Sequence, residues 1–366
     1  MAGAEADARH MRRCLALARR AEGRTAPNPI VGSVIVSARG EVLAEGWHER
    51  PGRPHGEAAA LEKLGGRAPG ATLYVNLEPC THASPRKPRP CAELVAASGI
   101  RRLVYGLADP VPGHGGGAAR VAAAGIRVDG PILEAECARA NAPFLTVARE
   151  RRVHVTLKAA VTLDAKIATR AGESRWITGS AARADGHRWR DRLDAILVGA
   201  GTILADDPQL TVRGVRGGRD PLRVVLDGRL RTPATARVLP ALVATSRGAP
   251  ARRARALEAA GAEILRLPGR DARVDVRALA RALARRGLLS LLVEGGAETH
   301  AAFLEAGLAD RLLLYVAPLA VGGADARSWL GGAGIAKLAE AHRFRWTGPP
   351  RRLGDDLVLT LERELL

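Results

Sequence analysis

HGEAAALEKLGGRAPGATLYVNLEPCTH, residues 55–82, decides how the first half of this chain is read. His55-Gly56-Glu57 opens an apolar pattern of helical period, and TLYVN is a strand-like run that ends shortly before Pro79-Cys80. A third soft ligand, Cys91, follows after ten intervening residues, THASPRKPRP. One neutral imidazole and two thiolates are what Zn²⁺ takes when three protein ligands leave a fourth position for water. His55, Cys80 and Cys91 are therefore the candidate metal ligands. Glu57 sits too close to His55 to be a fourth ligand with ease, but it can reach that water and carry its proton to a leaving amine. It is the candidate general acid/base. A lone His-x-Glu, or a lone distant cysteine pair, reads as a surface histidine and buried thiols; together, directly after a strand, they favour zinc. Cys14 and Cys137 have no such company and are read as packing residues on helices.

Outward from this stretch, short Val/Ile/Leu runs alternate with Ala/Arg/Glu stretches of helical period, which argues for α/β layers. Residues 30–36 and 41–47 read as a hairpin around a turn at 38–40, with further strands at 73–76 and 102–107. Helices are expected at 11–21, 55–64 and 91–98. A second series of strands starts at 153–157 and continues at 195–198, 223–226, 241–244, 262–267, 289–293, 312–316 and 357–361; residues 249–260 read as an ordinary helix. The charged ARERR segment separates the series, so the expected domains are 1–148 and 149–366.

The bulk numbers set bounds. At 366 residues and 47% apolar content, two domains can each bury a core. Four cysteines are too few for a disulfide scaffold. The start of the chain carries charge but no apolar signal segment, and no run of about 18 apolar residues follows, so a cytoplasmic protein without a membrane partner is expected. The net charge of +18 raises nucleic-acid binding, but the arginines are spread over both halves and aromatics are only 3%. A solvated Arg-rich surface, favourable to phosphorylated ligands and not to nucleic acid, is the preferred reading.

His-x-Glu followed by Pro-Cys-x-x-Cys marks zinc nucleobase deaminases, and this chain departs from it in the length between its cysteines. NPIVG (residues 28–32), HGE, LEPCTH with a proline-rich stretch before the second cysteine, and DPVP (residues 109–112) resemble the deaminase half of the bifunctional riboflavin-biosynthesis family, whose members lengthen that spacing. The resemblance implies a cytidine-deaminase-like three-layer α/β/α domain, zinc on His55, Cys80 and Cys91, Glu57 as proton shuttle, and substrate contacts at Asn28, His82 and Asp109. The chain differs from the family's usual pattern in three ways: Gly56 replaces Ala, at about 1 kcal/mol of helix propensity; the inter-cysteine stretch is two residues longer; and Val111 replaces a polar residue. The longer loop leaves open whether Arg86 or Lys87 is the phosphate-contacting cation.

VTLKAAVTLDAKIAT, GESRWITGSAAR, DAILVGAGTILADDPQLTVR, LLVEGG and AGLADRLLLYVAPLAVGG are similar, in order and approximate spacing, to the same family's reductase half. From the residues alone, VGAGT and VEGGAET are strand ends whose glycines precede helices, places where backbone N–H groups meet phosphates, yet tight turns explain each equally well. The resemblance adds a dihydrofolate-reductase-like α/β fold. It implies NADPH at Ala160, Trp176, Thr202, Asp206, Gly228 and the turn Gly296, Ala297, Glu298, Thr299, and substrate contacts at Ser174, Arg190, Leu210, Arg213 and Glu294. Lys158 is the candidate for stabilising charge as hydride arrives, against the alternative of a snorkelling strand lysine. Arg190 and Arg213 offer guanidinium forks to phosphate. Asp206-Asp207 belongs to the family's turn, so no metal is expected there; Ala165 replaces a usual Gly and Arg311 a usual acid.

The resulting expectation is a bifunctional enzyme. It deaminates 2,5-diamino-6-ribosylamino-4(3H)-pyrimidinone 5′-phosphate with zinc, then reduces the ribosyl group to a ribityl chain with NADPH, as a homo-oligomer built through the reductase domain. A tRNA adenosine deaminase would share His-x-Glu and explain the charge, but lacks the long cysteine spacing and leaves the second domain without a purpose. A deaminase carrying an inactive reductase-like binding domain is the other alternative.

Overall fold

The computed structural model describes residues 2–83 and 89–364. It divides into two compact units, Met1–Arg151 and Arg152–Leu366. The expected boundary at 148/149 falls inside a continuous helix, Ala142–Glu150, which belongs wholly to the first unit.

The first unit runs α1 (Ala2–Ala18), β1 (Gly32–Val36), β2 (Val42–Trp47), α2 (Gly56–Glu62), β3 (Thr72–Val75), α3 (Cys91–Ala97), β4 (Arg102–Tyr105), α4 (Gly117–Ala123), β5 (Arg127–Asp129), α5 (Glu134–Ala140) and α6 (Ala142–Glu150). Its five-stranded sheet has the order β2-β1-β3-β4-β5, with β2-β1-β3 antiparallel and β3-β4-β5 parallel. Cross-strand partners point to one face of a sheet. A side chain at Gly32 would strike α1 at the Cys14 carbonyl, whereas one at Gly46, paired with Ser33, would strike α2 at Ala60 N. Helices α1 and α2 therefore cover opposite faces, and β1, buried along its whole length, is the centre of an α/β/α layer structure. This is the cytidine-deaminase-like architecture expected.

The helix read at residues 11–21 starts nine residues earlier, because the Ala-rich opening segment keeps helical propensity and Asp7 anchors it. Asp7 accepts both Arg102 nitrogens, at 2.9 and 2.8 Å, and the Tyr74 hydroxyl at 2.8 Å, tying α1 to β3 and β4. Cys14 and Cys137 are fully buried and unbridged, as packing residues should be, and burial pushes the Cys137 thiol up to about 12.

The second unit runs β6 (His154–Thr162), α7 (Ser180–Arg192), β7 (Ala195–Gly199), α8 (Ala200–Asp206), β8 (Leu222–Leu226), β9 (Leu242–Ser246), α9 (Ala251–Ala259), β10 (Glu263–Leu267), α10 (Val276–Arg285), β11 (Ser290–Val293), α11 (Ala297–Glu305), β12 (Ala309–Ala317), β13 (Phe344–Trp346), β14 (Arg351–Leu353) and β15 (Asp356–Arg363). Its sheet order is β10-β9-β8-β7-β11-β6-β12-β15-β13, parallel from β10 to β12 and antiparallel beyond. Strand β11 enters late in the chain yet lies between β6 and β7, so the order reverses there. Ligands of open α/β sheets collect at the carboxyl ends of strands beside such a reversal. Asp194 locks β11 in register: its carboxylate accepts from Leu289 N, Ser290 N and the Ser290 hydroxyl, all within 3.0 Å.

Ala165, where the family usually has Gly, stands at φ +62° in the turn after β6. A Cβ disfavours that region by about 1–2 kcal/mol, which gives the usual glycine a physical reason.

Candidate functional site

The metal-ligand candidates come from three elements. His55 is the residue before α2, with extended backbone; Cys80 lies in the segment after β3; Cys91 is the first residue of α3. One nitrogen or sulfur atom from each lies within 4.8 Å of the others, and among the described residues no other cluster of metal-ligating side chains has this character. Cys80 Sγ is 3.7 Å from His55 Nδ1. A sulfur and a nitrogen sharing one tetrahedral zinc at ~2.3 and ~2.05 Å are separated by about 3.6 Å. Both thiols are buried and unbridged. The donor set and its spacing fit zinc. Glu57, on the first turn of α2, is 2% exposed, so its carboxyl is enclosed rather than solvated.

Gly56 has a local reason. A Cβ there would sit 3.0 Å from Val31 O and 3.2 Å from Gly32 Cα and Ser33 Oγ, so the helix that carries His55 and Glu57 docks closely on β1.

Asn28 lies against this cluster through His48. Asn28 Nδ2 is 3.1 Å from His48 Nε2, and His48 Nδ1 is 3.1 Å from Pro54 O. A carbonyl only accepts, so Nδ1 carries the proton and Nε2 accepts from the Asn28 amide. The His48 ring meets the His55 ring edge-on at 5.0 Å. His82 stacks on His114, with ring centroids 3.7 Å apart. Asp109 receives Val111 N on its carboxylate while its own N–H donates to Glu78; burial raises its carboxyl against the Val111 hydrogen bond. Glu78 also accepts Ala118 N at 2.8 Å, fixing the loop that carries Asp109 and His114. His48, Glu78 and His114 were not singled out from the sequence, since residues that orient neighbours carry no spacing signal. Arg86 and Lys87 lie outside the described residues.

In the second unit the two glycine turns meet. Gly199 N donates to Gly295 O at 2.9 Å, a side chain at Gly199 would strike the Thr299 hydroxyl, and one at Gly296 would lie 3.5 Å from Thr202 Oγ1. Thr202, Gly296, Ala297 and Thr299 therefore form one cradle at the carboxyl ends of β7 and β11, which suits a phosphate-bearing cofactor. Ser174 and Asp206 line one open cleft of about 440 Å³. Trp176 is 67% exposed, with the Arg183 guanidinium over its ring at 4.7 Å. Three candidates stand differently from what their roles suggest. Glu298 turns its carboxylate to Gly332 N. Gly228 is packed against the Ala272 carbonyl, where a Cβ would collide at 1.7 Å. The Leu210 side chain is buried in the core at φ +54°, which leaves only its backbone for a ligand.

Lys158 and Ala160 project from β6. Arg190 does not offer a free fork: its Nε and Nη2 grip Glu294 at 2.8 and 2.7 Å, and Nη1 donates to Thr211 O at 3.0 Å. Burial would lift the Glu294 carboxyl, but Arg190 and Lys158 outweigh it and hold it at about 2. Burial pushes the Lys158 ammonium down, Glu294 opposes and Arg190 adds to the push. Arg213 remains the exposed cation; its N–H donates to His187 Nδ1 at 3.2 Å.

Fold and site together define a zinc-type deaminase unit joined to an α/β unit whose glycine turns suit a phosphate-bearing cofactor. Residues 4–107 match the model of the cytidine and deoxycytidylate deaminase zinc-binding region, and residues 153–349 match that of the RibD C-terminal domain. The riboflavin biosynthesis protein RibD of Bacillus amyloliquefaciens is 40% identical over 357 residues, covering 96% of this chain and 95% of that protein. Among solved structures, a RibD of Acinetobacter baumannii superposes with a TM-score of 0.86 at 35% identity, covering 99% of this chain and 100% of that one. A Thermotoga maritima protein described as a diaminohydroxyphosphoribosylaminopyrimidine deaminase/5-amino-6-(5-phosphoribosylamino)uracil reductase gives 0.84 at 32%, covering 99% of each. The chain belongs to the RibD family of riboflavin-biosynthesis enzymes. It is a bifunctional enzyme, a zinc deaminase and an NADPH-dependent reductase acting on a small pyrimidine.

Proposed function

We propose that Glu57 and Lys158 each carry the proton or charge work of one of two separate sites. The observation that carries the first is the convergence of His55, Cys80 and Cys91 beside an enclosed Glu57. Zinc held there supplies the Lewis acidity that makes water nucleophilic near neutral pH, and NADPH supplies hydride in the second unit. Glu57 takes a proton from the attacking water and delivers it to the departing amine at the aminated ring carbon of the diaminopyrimidinone ribosylamine phosphate. Asn28, oriented by His48, contacts the pyrimidine, while His82 and Asp109 border the phosphoribosyl arm. In the second unit Lys158 holds positive charge beside the sugar while C1′ is reduced and the ribosyl group becomes a ribityl chain. Arg213, rather than the committed fork of Arg190, meets the substrate phosphate; Arg190 and Glu294 instead shape the wall behind Lys158, and Ser174 and the Leu210 backbone complete that wall. Ala160, Trp176, Thr202, Asp206 and the turn 296–299 are the residues that would hold the cofactor, with only backbone available at Gly228.

Four cysteines without a disulfide among them suit a reducing cytoplasm, and no helix of the described residues is long and apolar enough to cross a membrane. Assembly of copies through the reductase unit is supported by the exposed Trp346, Leu357 and Leu338 of that unit. The test is ammonia release from the pyrimidine and NADPH oxidation by the deaminated product, measured on Glu57→Ala and Lys158→Ala. Each substitution removes one activity and spares the other; loss of both in a folded variant contradicts the assignment.

A further inference from the structure

The charged groups around Lys158 pull its ammonium in opposite directions. Glu294 attracts its ammonium, but that carboxylate is closed in a two-point pair with Arg190, which repels Lys158. His300 on α11 also interacts electrostatically with it, and His187 on α7 with Glu294. A further neighbour is neutral. Lys158 Nζ lies over the ring of Tyr315, 5.5 Å from its centroid. Tyr315 is 1% exposed on β12, paired in register with Ala160, and its hydroxyl donates to Asp185 Oδ2 at 2.8 Å. Asp185 on α7 is itself buried and held by Arg188 at 3.0 Å and Arg351 at 3.2 Å. Burial and this hydrogen bond restrain the ring. A phenol that donates to a carboxylate also gains electron density, which deepens the negative face presented to the ammonium.

This arrangement solves a specific problem. A second carboxylate beside Lys158 would orient the ammonium only by neutralising it, whereas an aromatic face attracts a cation and leaves its N–H donors and charge available to a ligand. We propose that Tyr315 is a positioning residue for Lys158: its ring holds the ammonium group in the reductase site, and Asp185 fixes the ring. The proposal rests on the reading of Lys158 as a working residue of the reduction.

The chain has only five lysines, Lys63, Lys87, Lys158, Lys166 and Lys337, so isotope labelling of lysine in the full-length protein gives few signals. The one missing from Lys158→Arg identifies Lys158. In Tyr315→Leu its titration midpoint falls by about one pH unit, the reductase kcat falls about tenfold, and the alkaline limb of the kcat profile moves to lower pH with it. The sign follows from the chemistry: losing the ring's attraction disfavours the cation, so charge is lost earlier as pH rises. NADPH affinity and ammonia release stay within twofold. Tyr315→Phe keeps the ring and most of the rate, and its limb moves part of the way. A folded Tyr315→Leu protein with an unmoved Lys158 midpoint and limb overturns the proposal, even with a lower kcat, because a merely structural role would do that. If Tyr315→Leu does not fold, Tyr315→Phe and Asp185→Asn decide: limbs shifted to lower pH support the proposal and unmoved limbs overturn it. A wild-type protein that fails to oxidise NADPH with the deaminated pyrimidine defeats the functional reading instead, and the titration of Lys158 in Tyr315→Leu and Tyr315→Phe then still judges Tyr315.

Discussion

The two sites of this chain are built on opposite principles. In the deaminase unit, three donors from separate elements close to within 4.8 Å, and only an ion of the right charge and softness gives that cluster a purpose. In the reductase unit the charged groups already satisfy one another: Arg190 grips Glu294, Asp185 takes Tyr315, Arg188 and Arg351, and the turns at Gly199 and Gly296 press together. The first site is arranged around one point that its three donors share. The second is a prearranged wall with a few groups, Lys158 and Arg213 chief among them, left to meet a ligand. Loss of a part should therefore act differently in each, through chemistry in the first and through both folding and chemistry in the second.

The contrast breaks most visibly at Glu57. Glu57→Ala should lower ammonia release about 10⁴-fold, the top of the range for positioned proton transfer, with NADPH oxidation and thermal stability unchanged. A stability loss comparable to that of a core mutant would mean that the enclosed carboxyl is structural.

Glu294→Gln should show the reverse pattern. Removing one partner of a buried pair costs about 3–5 kcal/mol, so chemical denaturation should find the reductase unit that much weaker and the deaminase unaffected. Its pH dependence sharpens the point. The folded carboxyl is held at about 2, below its ordinary 4.5, so the pair's stabilisation is present above 4.5 and fades as pH falls toward 2. Wild type and variant should converge on that side, and a gap that stays constant to pH 2 would contradict the pairing.

Lys158→Ala should reduce NADPH oxidation about 10²-fold, comparable to losing one preorganised charge-stabilising group. Ammonia release should not change, and unchanged NADPH turnover would remove Lys158 from the mechanism.

The smallest expected effect lies at Ala165. Ala165→Gly relieves a left-handed Cβ and should raise the unfolding free energy of the reductase unit by up to about 1 kcal/mol, offset by the chain entropy glycine adds when unfolded. A loss of stability would show that the turn gains more from the methyl group than it loses in strain.

The same contrast explains what could be read without coordinates. His55, Cys80 and Cys91 were legible because soft donors are rare and zinc constrains their type. The hairpin of β1 and β2 and the strands of the second sheet other than the short β13 and β14 were legible from their apolar runs. The short edge strand β5 was not, because Arg127–Asp129 is too brief and too polar to show a period. Nor was the commitment of Arg190 to Glu294. An arginine in sequence offers a fork to phosphate or carboxylate alike, and only packing decides which it meets. His48 and Tyr315 escaped for a related reason: they act on a neighbour's orientation, which no linear spacing records.

The most direct test is X-ray absorption at the zinc edge, together with metal content, on the purified full-length protein. The account predicts one zinc per chain with two sulfur neighbours at ~2.3 Å and lighter nitrogen and oxygen neighbours at ~2.0 Å, and loss of one sulfur or of the metal in Cys80→Ala and in Cys91→Ala. A zinc environment without two sulfurs, or one unchanged by either substitution, would contradict it.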